Sequence, residues 1–228
     1  AERIVVGAHY DVYGDYPGAD DNASGVAGLL ELGRLINELK PALKTRVDLV
    51  AYSLEEPPFF RTRNMGSYVH AKSLDDAKAK VKVMICLESI GYYSEEPFSQ
   101  QFPFFFFRWF YPSKGNFVVV VGKWGKNALV KRIKNFMSDA SSIHVDTIAA
   151  PFIVPGIDLS DHRSYWKFGY DAVMITDTAF YRNNNYHRFT DTIDTLDFEK
   201  MGEVVKGVYW TVINLLCLWI IFLKYPAV

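Results

Sequence analysis

Polar and apolar positions follow two periods along this chain: short, nearly unbroken apolar runs, and longer stretches with apolar residues at helical spacing. Ile4–Ala8 is a run of strand length, the pattern of a strand buried on both faces. From Ser24 to Glu38, Val26, Leu29, Leu30, Leu32 and Ile36 recur at helical spacing, with Ser24 placed to cap. Arg46–Ser53 reads as a second strand, and a helix starts after Gly66, near Ser67–Lys72. Val81–Leu87 and Asn116–Val121 read as further strands, and Ala128–Ala140 as an amphipathic helix. Ala172–Thr176 is another strand, and a closing helix runs from Phe198 to about Leu223. Strands alternating with helices predict an α/β fold whose sheet has parallel strands in its centre. No repeat, linker or domain boundary interrupts the 228 residues, so one domain is expected.

Composition narrows the function classes. Half of the residues are hydrophobic, enough for a sizeable core, and a net charge of −1 leaves no basic footprint for nucleic acid. The lysines within residues 126–134 read as a solvated helix face. Cys86 and Cys217 both sit in apolar runs, which predicts buried thiols and no disulfide framework. Val208–Leu223 carries no charge but is shorter than the ~20 apolar residues of a membrane span. Lys206 and Lys224 flank it like anchors, yet a helix buried against the sheet is favoured over membrane association. No signal peptide is recognisable; the chain opens a few residues before an apolar strand, so an upstream segment is expected. The aromatic stretch Phe102–Pro112 reads as a loop packed on the core, with a substrate-entrance wall or a membrane- or partner-facing patch as the alternatives.

The chemistry collects at strand ends. His9 and Asp11 follow the first strand, and Asp20 and Asp21 come shortly after. Glu55 and Glu56 follow the second strand, Glu88 the third, and His187 the strand Ala172–Thr176 by way of a loop. In open α/β sheets ligands bind outside the carboxyl ends of the strands. Imidazole and carboxylate converging there make a set that suits zinc and related divalent ions. Glu88 closes an apolar strand, where an unpartnered carboxylate would be costly. Taken singly, "DDNASG" reads as a turn and cap, and "EEPP" as an acidic turn; the joint pattern is what points to a metal centre.

Six stretches in order, "GAHYD", "PGADDNASGVA", "LEEPPFFRTRNMGS", "CLESIGYYS", "SDHRSYWKFGYDAVMITDTAFYRN" and "YHRFTDTIDTLD", resemble the M28 group of zinc-dependent aminopeptidases. The resemblance implies a mixed sheet flanked by helices, holding two zinc ions, with other divalent metals also admissible. It implies that His9, Asp21 and Glu88 hold one ion, and Asp21, Glu56 and His187 the other. Glu55 would be the general base. Asp11 would accept the His9 ring N–H and fix its tautomer. Asp161 would have a hydrogen-bonding or substrate-shaping role, without binding metal. His70 and His144 read as structural. The chain departs from the group at Ile157, where well-understood members carry a tyrosine that polarises the substrate carbonyl. The resulting expectation is exopeptidase action on peptides with a free N-terminus. Asp20, Asp158 and Asp161 at the rim would attract the amine, while Arg182 and Arg188 flank His187. A single-zinc glutaminyl cyclase and a non-catalytic binding member are the alternatives. The resemblance also points to an extracytoplasmic or membrane-associated setting.

Overall fold

The computed structural model describes residues 2–43 and 45–216. Cys217 and the end of the closing helix expected to reach Leu223 lie outside the described residues. Six strands form one sheet: β1 (Arg3–His9), β2 (Arg46–Tyr52), β3 (Val81–Glu88), β4 (Phe117–Lys123), β5 (His144–Ala150) and β6 (Ala172–Thr176), in the order β2-β1-β3-β6-β4-β5. Every neighbouring pair is parallel except β4 with β6, which is antiparallel. The sheet is therefore mixed and mostly parallel, as the sequence predicts. The four contiguous strands β2, β1, β3 and β6 open their carboxyl ends on one edge. The chain leaves β1 toward β2 and leaves β3 in the other direction, so the topological switch point falls between β1 and β3.

Helices cover both faces. On one side lie α1 (Gly25–Leu39), α3 (Asn127–Ala140) and α5 (Phe198–Leu216), and on the other α2 (Gly66–Asp76) and α4 (His162–Lys167). Because successive strand residues face opposite ways, Val83, Ile85 and Leu87 of β3 enter the first core and Met84 and Cys86 the second. Both faces being covered explains why the inner strands read as apolar runs. Cys86 is buried and free, as expected. In β1, a Cβ on Gly7 would lie 2.3 Å from the Tyr52 ring, so only glycine admits that ring, whose hydroxyl hydrogen-bonds Tyr165 at 2.7 Å.

Two elements carry no periodic signal. β5 is an edge strand with only Val145 and Ala150 buried, too weak an alternation to read from sequence. Its His144 pairs with Asp146 at 3.2 Å, a structural role. The six-residue α4 is too short for a 3.6-residue period to register. The aromatic stretch faces two ways. Phe105, Trp109 and Phe110 are exposed, while Phe102, Phe107 and Tyr111 turn inward and line a cavity. No helix among the described residues is long and apolar enough to cross a membrane.

Candidate metal centre

Local backbone geometry aims each candidate side chain at the switch point. His9 ends β1. The chain then turns through Gly18 at φ 63°, where a Cβ would meet the Asp21 carbonyl at 2.7 Å, and Asp21 (φ −106°, ψ 92°) and Asn22 (φ −134°, ψ 36°) leave the helical conformation within Ala19–Ser24. The Asn22 side chain locks this turn onto the end of β3: it donates to the Leu87 carbonyl at 2.9 Å and accepts the Ser89 N–H at 3.0 Å. After β2, Leu54 takes a left-handed φ of 60° and delivers Glu55 and Glu56. His187 itself sits at φ 54°. Non-glycine residues held in this region mark over-determined backbone, a frequent property of functional sites.

Two groups of three ligand-capable side chains result: His9, Asp21 and Glu88, and Asp21, Glu56 and His187, with the donor atoms of each group within 4.8 Å of one another. Asp21 belongs to both and divides its oxygens between them. Its Oδ1 lies 3.3 Å from His9 Nε2, and its Oδ2 lies 3.0 Å from His187 Nε2. Glu88 Oε2 is 3.3 Å from His9 Nε2, and Glu56 Oε1 is 3.1 Å from His187 Nε2. Two donors bound at ~2.0–2.1 Å to one tetrahedral ion stand about 3.3 Å apart, so both groups have the spacing of ligand sets. Glu55 belongs to neither; its Oε2 approaches His9 Nε2 at 4.0 Å.

The electrostatics are those of an anionic well. Asp21, Glu55, Glu56 and Glu88 are all buried, and none pairs with a lysine or arginine among the described residues. Burial would lower the His9 pKa, but the charges of Glu88 and Glu55 and hydrogen bonds to Asp11 and Asp21 outweigh it and raise it well above the imidazole range. His187, against the same opposing burial, is raised to about 9 by Asp21 and Glu56. Burial pushes the Glu55 carboxyl well up, and Glu88 and Glu56 also rise. Asp21 moves the other way: burial is overcome by hydrogen bonds to His187 and His9, which hold it below the carboxylate range.

The remaining expected residues need correction in detail. Asp11 does accept from His9 Nδ1, but through its main-chain carbonyl at 3.0 Å; its carboxylate stands 3.6 Å away. That carboxylate instead accepts the N–H groups of Glu55 at 3.1 Å and Glu56 at 3.0 Å. Asp20 and Asp158 are not free for an amine. The Asp20 carboxylate accepts from Gly91 N–H and Asn183 Nδ2, and Asp158 pairs with Arg61 and Arg163. Asp161 is fully buried, and neither of its oxygens has a hydrogen-bond partner among the described residues; burial pushes it up to about 7 against the pull of His9. Arg182 is buried, donating to Gln100 and to the Phe117 carbonyl. His70 hydrogen-bonds Tyr165, a structural role.

Sequence reading missed three supports. Ser160 donates to Glu88 Oε2 at 2.6 Å. Asp191 accepts the amides of Asp20 and Asp21 at 3.0 and 3.2 Å, clamping the His187 loop to the Asp20–Asp21 turn. Tyr13 and Tyr186 stack on the His187 ring at 4.3 and 3.9 Å. Apart from the neighbouring Tyr186 and His187, these are contacts between distant segments, which no local period announces. Beside the centre lies an apolar cavity of about 120 Å³ lined by Glu88, Phe102, Phe107, Ile157, Met174 and Tyr186, among others.

A model described as Peptidase family M28 matches residues 1–212. The uncharacterized protein YfbL of Escherichia coli K12 is 49% identical over 219 residues, covering 92% of this chain and 66% of its own length. Leucine aminopeptidase 1 of Ajellomyces dermatitidis is 26% identical over 226 residues, covering 90% of this chain and 50% of its own. The LapA aminopeptidase structure of Legionella pneumophila superposes with a TM-score of 0.74 at 23% identity, covering 95% of this chain and 52% of that one. The chain thus spans between half and two thirds of the length of these relatives.

The raised acids fix a sign for pH dependence in protein stripped of divalent cations. Asp161, raised to about 7, and Asp20, raised to about 6, stay protonated in the folded state where the unfolded chain has lost the proton; that stabilisation is lost as pH rises through this window. His187, raised to about 9, holds its proton above the ordinary histidine range and loses its contribution as pH climbs further. The lowered pKa of Asp21 opposes this only at more acid pH; His162, lowered to about 4 by burial, and His70, also lowered by burial, oppose it up to the ordinary histidine range, fewer groups than those that favour the acid side. Chelator-treated protein should therefore melt at lower temperature at about pH 8 than at about pH 5, and Asp161→Asn should shrink the difference. A melting temperature flat or rising over that range would contradict the electrostatics.

Proposed function

We propose, from the premise that this chain belongs to peptidase family M28, that it acts as a metal-dependent aminopeptidase on peptides with a free N-terminus. The observation that carries this reading is the division of the two Asp21 oxygens between two ligand-capable groups. His9, Asp21 and Glu88 would hold one divalent cation, and Asp21, Glu56 and His187 a second; zinc suits such imidazole–carboxylate sets. Bound there, the ions would polarise a peptide carbonyl and lower the pKa of a water molecule.

The chain's own groups divide the remaining work. Glu55 is buried, 4.0 Å from His9 Nε2, without belonging to either group, so its carboxylate is available to take the proton of the attacking water and return it to the leaving amine. Asp11 orients Glu55 and Glu56 by accepting their amides. The direction of cleavage follows from charge. The centre has carboxylates without a paired arginine or lysine among the described residues, which favours a cationic α-amine with pKa near ~8 over a terminal carboxylate. Arg182 is committed to Gln100 and Phe117, so it cannot clamp a carboxylate. The apolar cavity would take the side chain of the N-terminal residue, and at about 120 Å³ it approaches the ~150 Å³ that admits benzene. A glutaminyl cyclase would need one metal position, whereas both groups are complete here; a non-catalytic member would not need Glu55.

One test offers a peptide with a free N-terminus, its N-acetylated form and its C-amidated form. Free and amidated peptides should be cleaved and the acetylated one spared. Undiminished cleavage of the acetylated peptide would overturn the reading. Loss on amidation alone would indicate a carboxypeptidase, with the exposed Arg188 the first residue to mutate.

Glu55→Gln separates base from ligand. It should retain the metal content of the native protein and lower kcat by about 10²–10⁴-fold, since an amide cannot accept the proton. Near-native turnover would remove Glu55 from that role.

A further inference from the structure

The candidate centre opens in two directions. The apolar cavity meets it at Glu88. At the other end lies a groove walled by Tyr13, Tyr16, Pro57, Pro58 and Phe189, which the reading above leaves without a task. Pro57 directly follows Glu56, and Phe189 stands two residues after His187. The groove therefore borders the Asp21–Glu56–His187 group, and the cavity the His9–Asp21–Glu88 group.

The His187 ring stands between them. Tyr186 lines the cavity and lies on this ring at 3.9 Å and 16°, while Tyr13 lines the groove and lies on it at 4.3 Å and 5°. One face of an imidazole has room for a single ring at such distances, so the two tyrosines take opposite faces. An extended peptide sends successive side chains to opposite sides, and its neighbouring Cα atoms are ~3.8 Å apart. With the first side chain in the cavity, the second is carried past His187 into the groove. The bond to be cut then runs between them, over the ligand sets.

The walls of the groove suit an aromatic side chain. Tyr13 stacks with Tyr16 at 5.9 Å and 26°, and Phe189 meets Tyr16 edge-on at 4.8 Å and 83°, so the rings are in place before a ligand arrives. Phe189 is nonetheless 71% exposed and Tyr13 37%, and Pro57 and Pro58 are exposed too. Apolar surface left open in a concave site beside a reaction centre is area that a ligand can bury. A further ring also adds an offset or edge-to-face contact. Asp15 is the one charged side chain among the described residues that line the groove. It is exposed, so it offers a cation little, but it repels a carboxylate. Peptides whose chain continues, or is amidated, after the second residue fit best.

We propose that this groove binds the second residue of the substrate and selects an aromatic side chain there, with Phe189 and Tyr16 as the residues that set the preference. The proposal rests on the aminopeptidase reading above and gives it a substrate class: peptides whose second residue is phenylalanine, tyrosine or tryptophan. The contact lies beyond the bond being broken and is the same in the ground and transition states. It therefore lowers KM and leaves kcat to the metal centre and Glu55.

The test offers leucyl-phenylalaninamide, leucyl-glycinamide and leucyl-argininamide to native protein and to Phe189→Ala, with zinc content measured alongside. Native protein should favour the phenylalanine peptide over the glycine one by about 10-fold in kcat/KM, carried by KM. Phe189→Ala should bring that ratio to within about 2-fold by raising KM for the phenylalanine peptide, with zinc retained; Tyr16→Ala should act in the same direction. A ratio near one in native protein would overturn the assignment, and so would a preference for the arginine peptide, which would give the groove to Asp15. Equal loss on the phenylalanine and glycine peptides together with loss of zinc would also count against it, because Phe189 would then only support the His187 loop. Phe189→Glu should move the preference from the phenylalanine peptide to the arginine one, and an unmoved preference would contradict the proposal. If native protein cleaves none of the three peptides, the aminopeptidase reading fails and takes this assignment with it; cleavage of all three at equal rates leaves that reading intact and removes this assignment alone.

Discussion

A single buried carboxylate sets the terms for the rest of this structure. Asp21 turns one oxygen toward His9 and the other toward His187, so two groups of ligands are joined by one side chain. Four buried acids in such proximity repel one another strongly at low dielectric. Two dications would neutralise them in a way that two protonated histidines cannot match, since each histidine carries at most one charge. The arrangement is comprehensible as a scaffold for metal and costly as anything else.

The surroundings are built to hold that carboxylate still. Gly18 provides the turn without a Cβ, Asn22 ties it to the end of β3, and Asp191 clamps it to the loop carrying His187. Asp11 does the same for the other side of the centre, holding the amides of Glu55 and Glu56. Polar residues that look from sequence like spare charge are therefore spent on backbone amides and ion pairs. Asp20 and Asp158 show this most clearly, because their carboxylates are occupied before any substrate arrives. Outer partners of this kind orient ligands and tune their basicity.

Much of this was legible in the sequence. The inner strands announced themselves because both faces of the sheet are covered, and the candidate ligands follow those strands, where ligands gather beyond the carboxyl ends. His9, Asp21, Glu55, Glu56, Glu88 and His187 all lie at such ends, and the structure brings these six side chains together. What was not legible depends on tertiary contact. The half-buried edge strand β5 and the six-residue α4 have too little period to detect. The resemblance gives Asp11 the His9 ring N–H, but not that its main-chain carbonyl takes it while its carboxylate accepts two amides after β2. The stacking of Tyr13 and Tyr186 on His187 joins a loop after β1 to one after β6, and no local pattern marks it.

The most direct test of the central claim is anomalous diffraction from crystals of the protein grown with zinc, recorded on both sides of the zinc absorption edge. Two peaks of zinc density, one among His9, Asp21 and Glu88 and one among Asp21, Glu56 and His187, with Asp21 between them, is the result this account predicts. A single peak on one side of Asp21, or zinc bound with Asp21 turned away, would contradict it.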